Sequence, residues 1–294
     1  MVFKIPGFGR LTRHVRGDTA QSTIDERGGP IDPSPALRIP IGYTDDDTRT
    51  PIDIDLTEPG THGLLVGTDG SGRTHLLRTI VTAATDIYTA AELIVVAVDL
   101  SRHDDFAGLT DHTSTLEPSR ALTVITTDPS HDLTHLFLRA VRFEVGGRSQ
   151  QLRDAARQLS REIPDFATYN AIRASGHALP ALPALLVVVA EFQRGDTGES
   201  TIIAELDHAL AIGRSLGIDF LFATSTLSGR AATALTSRLG YRIALRTNTI
   251  QESRTVIGAA DASEIPDWQP GVGFLRVGDG PPVRFRTPTP EATQ

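Results

Sequence analysis

The chain has 294 residues, no cysteine, one methionine at position 1 and a formal charge of −8. These counts exclude a disulfide framework, a thiolate zinc site and a thiol nucleophile, and the net acidity argues against a sequence-independent coat for nucleic acid. A single lysine, Lys4, stands against 27 arginines, a skew explained either by chain-wide bias or by selection for planar, permanently charged groups.

Residues 1–35 read as a flexible arm: glycine, proline and polar residues dominate RGDTAQSTIDERGGPIDPSP, with neither a helical nor a strand period. Its first residues are basic, since Lys4, Arg10, Arg13 and Arg16 precede the first acid, Asp18. MVFKIPGFGR lacks the apolar run of a signal peptide. From there the expected strands are 52–56, 63–67, 93–98, 122–126, 184–190, 218–224, 241–246 and 273–277. Several are apolar on both faces, as parallel strands covered on two sides require. The longest apolar stretch, LLVVVA at 185–190, is far short of the roughly 20 residues that span a bilayer. Helical periods follow Thr74 (Leu76, Leu77, Ile80, Val81, Ala84, Ile87), cover 132–162 with a kink expected at Gly146–Gly147, and return over about 200–215. Strands alternating with helices predict an α/β fold with a mainly parallel central sheet flanked by helices, spanning 36–286, and a loose tail at 287–294.

The sharpest motif is GTDGSGRT, residues 67–74, between the strand at 63–67 and a helical period. It follows the phosphate-loop spacing G-x-x-x-x-G-K-[ST] with Arg73 in place of lysine. Gly67, Gly70 and Gly72 permit a tight turn whose amides (Thr68, Asp69 and Ser71 included) face an anion, and the helix beginning near His75 adds its positive end. Thr74 is the candidate Mg²⁺ ligand. Arginine still binds phosphate through two parallel hydrogen bonds, but its wider planar head changes the geometry of transfer. The strand at 184–190 should end in two acids; Glu191 is present to polarise water, whereas Ala190 removes the carboxylate that orders the metal's waters. Magnesium then rests on Thr74, nucleotide and water, a poorer octahedral set.

The stretches THGLLVGTDGSGRTHLLRTIV, VDLSRHDDFAGL, IGRSLGIDFLFATS and LGYRIALRTNTIQESRTVIGAADASEIP, followed by GVGFLRVG, resemble ATPase modules of the FtsK/SpoIIIE group, most closely the EccC motor proteins of type VII secretion. The similarity runs from about 39 to 286. It implies a RecA-like P-loop core that binds ATP between neighbouring modules, of the same or another chain, in a cytoplasmic assembly attached to a membrane secretion complex through partners. It further implies that one module can lend an arginine to the next. Arg148 falls where the family's paired arginines stand, as a candidate finger in trans or a solvated helix charge. Arg242 and Arg246, on the same side of a strand, face either a module interface or the nucleotide, or else form structural ion pairs. Ser225 stands where the family often carries a glutamine that senses the γ-phosphate, and DLSR at 99–102 lacks the family's lysine. Arg73, Ala190 and Ser225 together indicate a degenerate module, with hydrolysis slow or absent.

Other constellations are weaker. His131 and His135 lie one turn apart without an identifiable third zinc ligand. Asp104 and Asp105 are either a carboxylate pair or ordinary acidic loop residues. No G-x-S-x-G elbow presents a serine, and aromatic residues are few. The leading expectation is therefore an ATP-binding pseudo-ATPase with secreted helical substrates among its expected partners; a working ATPase, a DNA translocase and a nucleotide-free peptide scaffold are the alternatives.

Overall fold

Strands that are apolar on both faces need cover on both sides, and the intervening helices supply it. The computed structural model describes residues 2–5, 9–12, 36–57, 62–100, 105–107, 109, 122–126, 133–192, 202–227, 235 and 238–288. In chain order the elements are β1 (Val2–Ile5), β2 (Gly9–Thr12), β3 (Arg38–Thr44), β4 (Pro51–Asp55), β5 (His62–Val66), α1 (Arg73–Ile87), β6 (Leu93–Asp99), β7 (Leu122–Thr126) and α2 (Leu133–Leu159). There follow α3 (Phe166–Ala174), β8 (Ala184–Ala190), α4 (Ile202–Glu205), α5 (Asp207–Ile212), β9 (Ile218–Thr224), β10 (Leu239–Ala244), α6 (Ile250–Ile257), β11 (Val272–Val277) and β12 (Val283–Arg286).

Strands β3 to β12 form one sheet in the order β4-β3-β12-β11-β10-β5-β9-β8-β6-β7. The six strands from β10 to β7 are parallel to their neighbours, and the four beyond β10 continue the sheet antiparallel. Alternation along β8 divides the core: Leu185, Val187 and Val189 face the cluster under α2, α3 and α5, while Leu186, Val188 and Ala190 face the one under α1. Helix α1 is fixed at its far end by Tyr88, whose hydroxyl accepts from the Arg38 amide at 2.7 Å and donates to the Arg38 carbonyl at 3.0 Å.

All eight expected strands are present, displaced by at most two residues. Four departures have local causes. Helix α2 is continuous through Gly146 and Gly147, so the expected kink is absent; its packing on the sheet holds the helix despite two poor helix formers. The helical stretch near 200–215 divides into α4, α5 and a 3₁₀ turn at Arg214–Leu216. Strand β3 carries Pro40 inside a bulged register with β4, which masks it as a strand in the sequence. Within the expected N-terminal arm, β1 and β2 pair antiparallel. Among the described residues no helix is long and apolar enough to cross a membrane.

The buried His62 at the start of β5 ties that strand to its surroundings. Its Nε2–H donates to the Leu210 carbonyl at 3.0 Å, and the Phe220 amide donates to Nδ1 at 3.3 Å. That pairing requires the neutral ring, and desolvation holds its pKa below the ordinary 6.5. Protonation is therefore easier in the unfolded chain, so His62 stabilises the fold above about pH 6.5 and this contribution is lost as pH falls towards its depressed folded value. Denaturation at pH 7.5 and 5.5 should show wild type losing stability more steeply than His62→Gln, by up to about 1.4 kcal/mol per pH unit below 6.5. Equal slopes would assign the acid sensitivity to other groups.

Candidate functional site: a phosphate loop at the carboxyl edge of the sheet

Parallel strands direct their carboxyl ends to one edge, where open α/β sheets place their ligands. Here β5 ends in the Gly67–Thr74 turn, and the other parallel strands deliver Asp99 at the end of β6, Glu191 after β8, Ser225 after β9 and Arg246 after β10. The turn is anchored from below by two amides: Gly67 N–H donates to the Thr224 carbonyl at 3.2 Å and Thr68 N–H to the Arg246 carbonyl at 2.8 Å. Gly70 and Gly72 lie at φ +76° and +94°, conformations that L side chains rarely adopt. A Cβ on Gly72 would sit 2.6 Å from the Gly271 amide nitrogen, where Gly271 N–H donates to the Ser71 carbonyl at 2.8 Å. Helix α1 starts at Arg73, so its unpaired first-turn amides face the turn. The hydroxyl oxygens of Thr68 and Ser71 are buried without a hydrogen-bond partner, which suits a polar ligand over the turn.

Arg73 is buried. Its guanidinium donates to the Gly67 carbonyl, pairs with the Glu191 carboxylate and lies 3.5 Å from the exposed Asp69 carboxylate. Glu191 in turn accepts from the Ser225 amide and hydroxyl, both at 3.3 Å. Its backbone sits at φ +55°, a left-handed position that costs a non-glycine residue on the order of 1–3 kcal/mol and persists only where surroundings impose it. The carboxylate expected to polarise water, Glu191, is thus paired with Arg73, the cation of the expected phosphate loop.

On the other side of Arg73, the Thr74 hydroxyl donates to Asp105 Oδ1 at 2.7 Å, and the Asp105 amide donates to Asp99 Oδ2 at 2.8 Å. Both carboxylates are buried. A Mg²⁺ ion beside Thr74 therefore meets oxygen donors, the set such a hard cation selects.

The sequence matches the description "FtsK/SpoIIIE family" over residues 34–229. It is 32% identical over 260 residues to the ESX-1 secretion system protein EccCa1 of Mycobacterium tuberculosis, covering 85% of this chain and 34% of that protein. The structure is similar to the cytoplasmic domain of the Thermomonospora curvata type VII secretion ATPase EccC, with a TM-score of 0.76, 30% identity, and coverage of 88% of this chain and 30% of that one. A second solved structure, T. curvata EccC (ATPases 2 and 3) in complex with a signal sequence peptide, shares the fold at a TM-score of 0.64 and 22% identity, covering 87% of this chain and 43% of that one. The chain belongs to the FtsK/SpoIIIE family. It spans 34% of the length of EccCa1 and only 18–20% of longer relatives such as T. curvata EccC and M. tuberculosis EccC4.

The residues expected from the FtsK/SpoIIIE pattern separate into two groups. Gly67, Thr68, Asp69, Gly70, Ser71, Gly72, Arg73, Thr74, Glu191 and Ser225 converge at the carboxyl edge, joined by Arg246, whose Nη2 donates to the Asp69 carbonyl at 3.2 Å. His75 leaves the cradle: its Nε2–H donates to the Pro288 carbonyl at 2.6 Å. Thr287 is buried and its amide donates to Gly271, so the expected tail begins with packed residues. Arg148 lies at the opposite edge, buried, pairing with Glu144 at 2.7 Å and donating to the carbonyls of Leu216 and Gly217 at 3.0 and 3.3 Å. A finger role in trans requires it to release all three. Arg242 lies on β10 beside Arg276 of β11, away from the loop. His131 and Asp104 lie outside the described residues, so neither suggested pair involving them is described.

Two alanine substitutions separate backbone need from composition. Gly72→Ala combines left-handed strain with a clash against backbone and should lower stability by about 2–3 kcal/mol. Gly146→Ala, where a Cβ meets nothing within 4 Å, should raise it by about 0.5–1 kcal/mol. Urea denaturation measures both; a neutral Gly72→Ala would mean that the turn is not held as described.

Proposed function

We propose that this chain is a nucleotide-binding, hydrolysis-impaired module of a type VII secretion motor. The single observation that supports it most is the pairing of Glu191 with Arg73, which occupies the water-polarising carboxylate with the phosphate-loop cation. Ala190 and Ser225 add to it, since neither supplies the chemistry expected at its strand end. ATP would lie on the Gly67–Thr74 turn, its phosphates facing the first-turn amides of α1 and the Arg73 guanidinium. Mg²⁺ bound with the nucleotide would neutralise phosphate charge, and Thr74 is the residue placed to hold it. Residues 36–286 would form the module, with 1–35 and 287–294 as flanking segments.

Within a motor the role of such a module is positional: it holds a nucleotide at a boundary with a neighbouring module and transmits whether the site is filled. Arg148 is the candidate contribution to a neighbour's site. The EccC resemblance makes other ATPase modules of a cytoplasmic secretion assembly the expected partners, and helical secretion signals the expected substrates.

Titration of the full chain with a fluorescent ADP analogue, with Mg²⁺ and with EDTA, should give saturable binding. Phosphate release should stay below about 0.01 per second, some hundredfold under the ~1 per second lower end of ordinary turnover, and should not fall further in Glu191→Gln. Absence of binding in both buffers sinks the nucleotide reading, whereas ordinary turnover abolished by Glu191→Gln would make the chain a working ATPase.

A further inference from the structure

Position 190 carries no carboxylate where the phosphate-loop pattern expects one, and the neighbouring strand β6 ends in one, Asp99. In the parallel β6–β8 ladder Asp99 pairs with Ala190, and Leu100 N–H donates to the Ala190 carbonyl at 3.1 Å. Asp99 Oδ2 accepts from the Asp105 amide at 2.8 Å, and Phe106, 1% exposed, is anchored in the core cluster that includes α1. That anchoring sets Asp105 against the first turn of α1, where its Oδ1 receives the Thr74 hydroxyl proton at 2.7 Å.

Asp105 is 5% exposed, yet its second oxygen, Oδ2, is buried with no hydrogen-bond partner among the described residues. An unsatisfied buried carboxylate oxygen is costly unless a cation or donor arrives. The arrangement suits a divalent cation: the Thr74 hydroxyl gives its proton to Asp105 and keeps its lone pairs for a metal, and carboxylate oxygens are the ligands that Mg²⁺ and Mn²⁺ prefer.

We infer that Asp105 supplies the metal-holding carboxylate that Ala190 lacks, with Asp99 as its positioning residue. The inference rests on the reading that the loop holds a nucleotide. It gives the module two separable properties: a rebuilt cation site on the Thr74 side of the loop, and a sequestered water-polarising group on the Glu191 side. Metal–nucleotide is then retained and turned over poorly.

The test is Mn²⁺ binding, followed by electron paramagnetic resonance of the full chain with ADP, beside ADP titrations in EDTA. Wild type should hold Mn²⁺ with ADP more tightly than ADP alone does. Asp105→Asn should weaken Mn²⁺ by about tenfold or more while leaving metal-free ADP binding and thermal unfolding close to wild type, and adding Ala190→Asp should recover the loss. In the otherwise unchanged chain Ala190→Asp should gain less than about threefold, because the position's role is already filled; this arm stands even where Asp105→Asn does not fold. Wild-type Mn²⁺ affinity in Asp105→Asn, a tenfold gain from Ala190→Asp alone, or Mn²⁺ held no better than by free ADP would each overturn the inference while leaving nucleotide binding intact. Failure to bind ADP with either EDTA or Mn²⁺ would instead overturn the reading beneath it.

Discussion

The Arg73 guanidinium, buried between the Gly67 carbonyl and the Glu191 carboxylate, joins the end of β5 to the end of β8 across the intervening β9. Two charges this far from water are tolerable only when each satisfies the other and the remaining lone pairs find donors. Glu191 meets that condition through Ser225, which contributes both its amide and its hydroxyl from the end of β9. The unusual backbone of Glu191 follows from the same constraint, because only from that conformation does the strand end turn its carboxylate back to the loop. Three features that look independent in the sequence, an arginine, a glutamate and a serine, thus form one arrangement.

That arrangement distinguishes binding from turnover. A nucleotide's phosphates compete with Glu191 for the same guanidinium, so each ligand weakens the other's hold. The alternative to Glu191 is an anion, and phosphate is a better bidentate partner for arginine than a single carboxylate already shared with Ser225. In the proposed reading a metal would be held by separate residues, Thr74, Asp105 and Asp99, on elements that do not include the strand end at 190. On the proposed reading, such an arrangement would lose the geometry of water attack and keep the means of holding a nucleotide.

Much of this was legible in the sequence, for identifiable reasons. Strands buried on both faces write continuous apolar runs, so β5, β6, β8 and β9 were readable, and the turn at 67–74 carries its glycines at the spacing its backbone demands. The four strands of the antiparallel half were less uniform: β3 is interrupted by Pro40 and Gly42, and β12 is four residues long. Helix α6 was missed although Thr249 and Glu252 mark its start, with the Glu252 amide donating to the Thr249 hydroxyl at 3.1 Å. Substitutions at 73, 190 and 225 could be seen as departures, but their mutual contacts depend on strand order, which no local pattern encodes. In the sequence Asp105 is either half of a carboxylate pair with Asp104 or an ordinary acidic loop residue; nothing in HDDF announces that Phe106 is a core residue and that its neighbour consequently reaches Thr74.

The most direct test of the central claim is a double-mutant cycle between Arg73→Met and Glu191→Gln, measured by urea denaturation with and without saturating ADP. Breaking a buried ion pair from either side typically costs about 3–5 kcal/mol, much of it from the charge left unpaired. The account predicts strong coupling without nucleotide, with the double variant more stable than the sum of single losses requires, and a clearly smaller coupling once ADP phosphates take over the guanidinium. Additive losses without nucleotide, or a coupling unchanged by bound ADP, would contradict it.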